Sequence, residues 1–314
     1  MISHPEKVLF PDAGITKGEV AAYYELIGSA MVPLIEGRPV TMERYPSGIG
    51  GQGFMQKNVV KGFPSWLERI EVPKKGGVVN YPLVNTERDL LWLANQNTIT
   101  VHVWPSRVPK LMYPDIVVFD LDPSIDDAKM LRRATLSVRD LLAEIGLESW
   151  VKTSGSKGYH IVVPLDAKTD FDEAGSFAFH VASVLVQREP EVFTLEFIKV
   201  DRGHRIYADI GRNGPGATYA APYSARPKPG APVSAPCTWD EIENGEAQPQ
   251  TFNVRNMAQR LESAGDLWAG IHRHGKSLKR PLQKLLKEAN PDTLKDLRAA
   301  SERRFGPRPR GAAI

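Results

Sequence analysis

Apolar residues recur along this chain with two different periods, and the changes from one to the other predict helices packed against sheets. In GITKGEVAAYYELIGSAMVPLIEG, Thr16 and Glu19 carry the capping-box signature ahead of helically spaced apolar positions, which predicts a helix over 16–35. RPVTMERYPSGIGGQGFMQKN reads as a strand running into a glycine-rich turn, and TITVHVWPSR and DIVVFDLDP read as strands from their β-branched alternation. In DDAKMLRRATLSVRDLLAEIGL, Met130, Leu131, Ala134, Val138, Leu141, Leu142 and Ile145 share one helical face, and Gly146 supplies the stop. SWVKTSGSKGYHIVVPL reads as two apolar strands around a loop of small residues, a hairpin. A helix over 171–188 follows, then strands near FTLEFIKV and HRIYADIG. PYSARPKPGAPVSAP holds too much proline for regular structure and is expected to wrap the surface; a basic helical tail comes after it. Hairpins mixed with helices, and no internal repeat, predict an α+β fold with mixed or antiparallel sheets flanked by helices.

Two carboxylates interrupt the most apolar of these strands. In PDIVVFDLDPS, alternation puts Val118, Asp120 and Asp122 on one face and Phe119 and Leu121 on the other. The two acids therefore point the same way, roughly 6–7 Å apart. Like charges that close raise each other's pKa unless a cation stands between them. The bland reading has Asp122 capping the turn before Pro123 and Asp120 hydrogen-bonded. Two aligned acids in an apolar strand are costly to leave unpaired, which favours a cation. IYADIGRN sets a third acid, Asp209, in a strand between Ala208 and Ile210. Three strand-borne aspartates suit hard divalent ions, and two such ions about 4 Å apart can activate an attacking hydroxyl and stabilise a leaving phosphate.

Further along, TSGSKGYH combines glycines that let backbone N–H groups approach phosphate oxygens with Ser154, Ser156 and the charge of Lys157. The spacing is not that of a Walker loop, and an ordinary hairpin turn is the alternative. His160 lies just beyond, one helix after the acidic strand. Lys17 opens the helix capped by Thr16, where a helix N-terminus favours anions.

Composition adds limits and one asymmetry. A chain of 314 residues with 42% hydrophobic and 25% charged residues can build a sizeable core. Its single cysteine, Cys237, excludes an internal disulfide and a cysteine-based zinc cluster, as expected in a reducing compartment. The opening MISHPEKVLFPDAG lacks the layout of a secretion signal, and no uncharged run approaches the roughly 18–20 residues that cross a bilayer. The expectation is a cytoplasmic, nucleoid-associated protein without a membrane partner. The net charge of +3 hides a tail, 273–310, with twelve Lys and Arg against four Asp and Glu, which leaves about −5 for the rest. Such a segment either meets a polyanion or is a solvated helical face.

VVFDLDP, TSGSKGYH and RIYADIGRN, in that order, resemble the three motifs of the archaeo-eukaryotic primase superfamily, most closely the polymerase domain of bacterial ligase D. The resemblance runs from about Lys7 to Pro236. It implies a primase-polymerase fold over 1–272, with 273–314 as the basic tail. It also implies a template-directed nucleotidyltransferase that fills gaps and extends ends in break repair, using two Mn²⁺ or Mg²⁺ ions. NTP or dNTP would be the substrate, DNA with a gap or end and a 5′-phosphate the template, and a Ku-like protein and a DNA ligase the partners. By position, Asp120, Asp122 and Asp209 match the metal-binding catalytic acids. Ser154, Lys157 and His160 match the motif that holds the triphosphate, and His102, Arg202 and Arg226 match further nucleotide contacts. Lys7 and Lys17 match a pair that grips the 5′-phosphate of a downstream strand. Phe54 and Met55 match a pair that stacks on bases and is usually aromatic, so Met55 is a departure. No lysine motif of an adenylating ligase is seen. Two rival readings are a haloacid-dehalogenase-type phosphohydrolase, whose D-x-D strand VVFDLDP mimics, and a DNA-end binder without chemistry.

Overall fold

The computed structural model describes residues 2–295 and 297. Strands β1 (Val8–Phe10) and β2 (Ile15–Thr16) lead into helices α1 (Lys17–Leu26) and α2 (Gly28–Ile35), then β3 (Val40–Arg44) and β4 (Phe54–Gln56). A hairpin of β5 (Arg69–Lys74) and β6 (Gly77–Pro82) precedes helix α3 (Glu87–Asn95) and strand β7 (Thr98–Val103). The central stretch comprises β8 (Ile116–Pro123), α4 (Ala128–Glu144), β9 (Trp150–Thr153), β10 (Tyr159–Pro164) and α5 (Phe171–Arg188). Short strands β11 (Phe193–Thr194), β12 (Ile206–Asp209), β13 (Tyr219–Ala220) and β14 (Pro236–Cys237) come next, then α6 (Trp239–Glu243), α7 (Met257–Ala264) and α8 (Lys279–Glu288).

Two sheets organise the chain. A six-stranded sheet has the order β11-β12-β8-β10-β9-β14, antiparallel except for the β11–β12 pair, and a four-stranded sheet has the order β13-β7-β3-β4. The alternation in β8 decides what each face of the larger sheet buries. Phe119 and Leu121 pack with Leu131, Val138 and Leu142 of α4 and Phe177, Val181 and Leu185 of α5. Val118 and Val162 face the other way, into the core shared with α1, α2, α3 and the smaller sheet. The acids of β8 share Val118's face, so they open between the sheets, away from α4 and α5.

Several sequence expectations need correction. The helix predicted over 16–35 is two helices broken at Ile27, although its capping box at Thr16 and Glu19 forms. Of FTLEFIKV only Phe193–Thr194 is strand, and a 3-10 turn spans Lys199–Arg202. The proline-rich segment is irregular as expected but does not wrap the surface. Tyr223, Ser224, Ala225, Ala231, Val233, Ser234 and Ala235 are buried. The small side chains of Ser224, Ala225, Ala231, Ser234 and Ala235 let the segment thread between the layers. It is held by Tyr23 and Tyr24 hydroxyls, the first donating to Tyr223 O at 2.6 Å, and by Val101 N donating to Ser224 Oγ at 2.8 Å. The β5–β6 hairpin and α3 were not predicted, though KKGG between β-branched runs and the Thr86–Asp89 capping box signal both.

Of the expected basic tail, α8 buries Leu285 in the same core as α4 and α5 and so lies behind the sheet that bears the acids. Asp296 and 298–314 lie outside the described residues. Among the described residues no helix is long and apolar enough to cross a membrane.

Gly158, just ahead of β10, lies hard against β8: a Cβ there would sit 1.8 Å from the carbonyl oxygen of Leu121. Backbone cannot yield as a side-chain tip can, so Gly158→Ala is expected to destabilise the fold by more than about 2 kcal/mol, measured by denaturant unfolding.

Candidate active site

Four polar side chains form one row across the larger sheet. Lys152 of β9 is paired with His160 of β10, His160 with Asp120 of β8, and Asp120 with Asp209 of β12. Directly opposed residues project to the same face with Cβ atoms about 5 Å apart, so register alone lines the four up. Asp122 stands two residues along β8 on that same face.

Cations hold the acids. Arg212 reaches both Asp120 Oδ2 and Asp209 Oδ2 through Nη2, each at 3.2 Å. Arg202 donates from Nη1 to Asp122 Oδ2 at 2.9 Å, spends its other nitrogens on the carbonyls of Glu196 and Phe197, and stacks on Tyr207. His160 Nε2 lies 3.4 Å from Asp120 Oδ1, and Lys152 Nζ lies 2.7 Å from His160 Nδ1. Desolvation works to raise Asp120, but His160, Arg212 and Lys152 outweigh it and hold the carboxyl far below the usual carboxylate range. Asp209 moves up instead, because desolvation and the neighbouring acids outweigh Arg212. Burial, aided by Lys152, pushes His160 down to about 4, so it is a neutral imidazole at pH 7.

Across from the acids lies a cavity of about 250 Å³ lined by His102, Ser154, Lys157, His160, Arg212 and Arg226 as well as Asp120, Asp122 and Asp209. The loop between β9 and β10 is less of an open amide cradle than its sequence implied: Ser154 Oγ accepts from the N–H groups of Ser156 and Gly158, both at 3.1 Å. Lys157 is exposed on its rim. His102 Nε2 pairs with Glu43 Oε2 at 3.0 Å. Arg226 runs beneath the loop with Nε buried and without a hydrogen-bond partner, and Gly155 makes room for it: a Cβ there would come within 2.6 Å of Arg226 Cγ. An unpaired guanidinium N–H beside a polar cavity is a natural seat for an anion.

The remaining expected residues lie elsewhere. Lys7 and Lys17 are joined by a backbone hydrogen bond of 2.7 Å, but Lys17 is buried and its ammonium donates to Ser3 O at 2.7 Å and Ser3 Oγ at 2.9 Å. The free amides expected at the start of α1 are taken: Lys17 N by Lys7 O, Gly18 N by Pro5 O and Glu19 N by Thr16 Oγ1. Helix-terminus binding therefore gives no support to the phosphate grip; Lys7 is the lysine of the pair left at the surface. Phe54 and Met55 are exposed on β4, the edge strand of the smaller sheet, with Arg44 over the Phe54 ring. Arg202 is not on the cavity wall but on Asp122. Sequence reasoning missed Arg212, Glu43 and Lys152. Arg212 was legible three residues after Asp209, and Lys152 as the one charge in the apolar strand before TSGSKGYH.

Among the described residues no three His, Cys, Asp or Glu side chains converge closely enough to hold a metal as they stand. Asp122 is drawn to Arg202 while Arg212 fills the space between Asp120 and Asp209. The donor set itself, carboxylate oxygens on adjoining strands, is of the kind hard divalent ions take.

Comparison with known proteins agrees with this geometry. A family model described as the LigD primase-polymerase domain matches residues 16–268. The multifunctional non-homologous end joining protein LigD of Mycolicibacterium smegmatis is 38% identical over 279 residues, covering 86% of this chain and 36% of that protein. The bifunctional non-homologous end joining protein LigD of Bacillus subtilis is 29% identical over 262 residues, covering 83% and 42%. The chain thus spans about a third to two-fifths of the length of these curated relatives. Among solved structures, the polymerase domain from Mycobacterium tuberculosis ligase D in complex with DNA matches with a TM-score of 0.83 at 32% identity, covering 88% of this chain and 98% of that one.

The depressed His160 has a consequence for stability. Between its ordinary 6.5 and about 4, the unfolded chain binds a proton that the folded chain refuses. The stability is intact above about pH 6.5 and is lost as pH falls toward 4. Replacing His160 with Gln should flatten that part of the pH profile, removing about 3 kcal/mol of the loss between pH 7 and 4, as read from denaturant unfolding at each pH.

Proposed function

The chain belongs to the LigD primase-polymerase family, and from that membership we propose that it is a template-directed nucleotidyltransferase that fills gaps and extends ends in DNA break repair. The observation that carries the reading is the convergence on one cavity of three strand-borne aspartates and the unpaired guanidinium N–H of Arg226. Acids for cations on one side, and donors for a triphosphate on the other, are what nucleotidyl transfer requires.

Two divalent ions, Mn²⁺ or Mg²⁺, held by Asp120, Asp122 and Asp209, would supply the charge that lowers the pKa of a primer 3′-hydroxyl and steadies the phosphates during attack on the α-phosphorus. The chain's own groups prepare the rest. Arg226, Lys157 and the Ser154 hydroxyl line the side of the cavity where a triphosphate would lie, and Arg226 arrives there without a competing partner. His160 is neutral and faces the acids as a donor. Any cation that takes the three carboxylates competes with Arg202 and Arg212 for them. Arg212, which lines the cavity, is then free to turn its planar fork to phosphate oxygens, a geometry it matches bidentately, while Arg202 stays held by the carbonyls of Glu196 and Phe197. Arg212 acts in this reading as a counter-charge that hands over from carboxylate to phosphate, and Arg202 as a counter-charge that a metal displaces from Asp122.

DNA with a gap or end is the template in this proposal; the similar M. tuberculosis domain was solved in complex with DNA. Lys7 as a 5′-phosphate contact, Phe54 and Met55 as a base platform, and partnership with a Ku-like protein and a DNA ligase belong to the same proposal. The family match leaves the phosphohydrolase reading without support, and a pure end binder has no use for three carboxylates gathered on one cavity.

The test is extension of a gapped DNA primer with NTP or dNTP, with Mg²⁺ or Mn²⁺, and with or without the downstream 5′-phosphate. Asp209→Ala should lower extension by at least about 100-fold while the thermal midpoint and DNA binding are kept. An Asp209→Ala protein that extends at the normal rate would overturn the assignment. Arg202→Ala frees Asp122 and is expected to lower the Mn²⁺ concentration at half-maximal extension, read from a metal titration.

A further inference from the structure

Among the described residues Lys152 has no carboxylate within bonding distance, yet it is fully buried on β9 of the larger sheet. Its amine meets Nδ1 of His160 at 2.7 Å and Oγ of Ser234, with the Tyr219 ring 5.7 Å away. Burying an amine in this way is costly, and a methionine would fill the same space without the penalty. The position therefore calls for a role beyond packing.

The hydrogen bonds around Lys152 favour one arrangement of protons. The Ser234 hydroxyl donates to Thr153 O at 3.0 Å, so its oxygen must accept from Lys152. A lysine nitrogen carries at least two hydrogens in either charge state. One goes to Ser234, and another is at hand to donate to Nδ1 of His160. On the far side of the ring, Nε2 faces Asp120 Oδ1 at 3.4 Å, an acceptor that only an N–H can meet. Both ends of the imidazole are satisfied by one tautomer, with the proton on Nε2.

We propose that Lys152 is a positioning residue that locks His160 as its Nε2–H tautomer, so that His160 always presents a donor, never a lone pair, to Asp120 and to the phosphates of a nucleotide in the cavity. The second hydrogen-bond partner of a ring nitrogen commonly sets which nitrogen is protonated. Ser234 anchors the lysine in turn and is delivered by the buried proline-rich segment. Without Lys152 the ring could carry its proton on Nδ1 and turn a lone pair on the carboxylate and the triphosphate, where it would repel both.

This inference rests on the polymerase reading for its effect on rate, but not for the tautomer. The test is Lys152→Met in the full chain, with two readouts. Ring ¹⁵N shifts in histidine-labelled protein, the His160 signals identified by their loss in His160→Gln, should report Nε2–H in the wild type and a mixture of tautomers in Lys152→Met. Extension of gapped DNA should fall about 10–100-fold, the usual cost of losing such an outer partner, with DNA affinity kept and the thermal midpoint unchanged or raised. A merely structural lysine would lower the midpoint and leave the ring signals alone. Should Lys152→Met fail to fold, Ser234→Ala, which cuts the lysine's other anchor, is read in the same way and should give a smaller fall with mixed tautomers. Wild-type ring shifts that report Nδ1–H, or a variant that keeps both the Nε2–H signature and the normal rate, overturn the proposal. A wild type that extends nothing defeats the polymerase reading instead, and the ring shifts still judge the tautomer.

Discussion

Charge within a sheet survives only if each charged or polar group finds a partner that satisfies it, and that constraint organises this molecule. The row Lys152, His160, Asp120, Asp209 crosses four strands in perfect pairing, and Arg212 closes its acidic end. A slip of one residue in any of these strands would send its member of the row into the apolar layer of α4 and α5. Strand register and site chemistry are therefore specified by the same residues. The sheet cannot be right and the site wrong.

The cost of such a row is spread over two cores. One lies behind the sheet, where Phe119, Leu121 and Ile161 meet α4, α5 and α8; the other lies in front, where Val118 and Val162 meet the N-terminal helices and the smaller sheet. Val and Ile at alternate positions of β8 and β10 fit a pleated surface buried on both sides. The polar row occupies the stretch of the front face where the two sheets part, and the cavity lies in that gap.

Much of this was legible before any coordinates. Period-two alternation put Asp120 and Asp122 on one face, and the helical period of Leu131, Ala134, Val138 and Leu142 gave α4 its buried side. What could not be read was pairing across the chain. That Asp209 opposes Asp120 depends on a contact between residues far apart in sequence, which only the family resemblance brought together. Arg212 was passed over because its value lies in two carboxylates that sequence alone does not bring to it. Lys17 shows the opposite gap between sequence and structure. A lysine opening a capped helix reads as an anion site, but Ser3, Pro5 and Lys7 fold back and consume the groups an anion would need. The proline-rich stretch misled because proline content argues against strands, whereas burial here was decided by alanine and serine small enough to pass between two layers.

That threaded stretch also sets an order of assembly on the ribosome. Tyr23 and Tyr24 find their partners two hundred residues later, at Tyr223 and Ser224. The helices and strands at the front of the chain can form early, but their shared interior stays open until the segment through Ala235 has been made and slotted in. Contacts of such long sequence separation slow closure and leave apolar surface uncovered in the meantime. A nascent chain halted before that point would hold all of β8 and β10 yet lack the wedge that joins the layers, which makes it a client for chaperones rather than an enzyme in waiting.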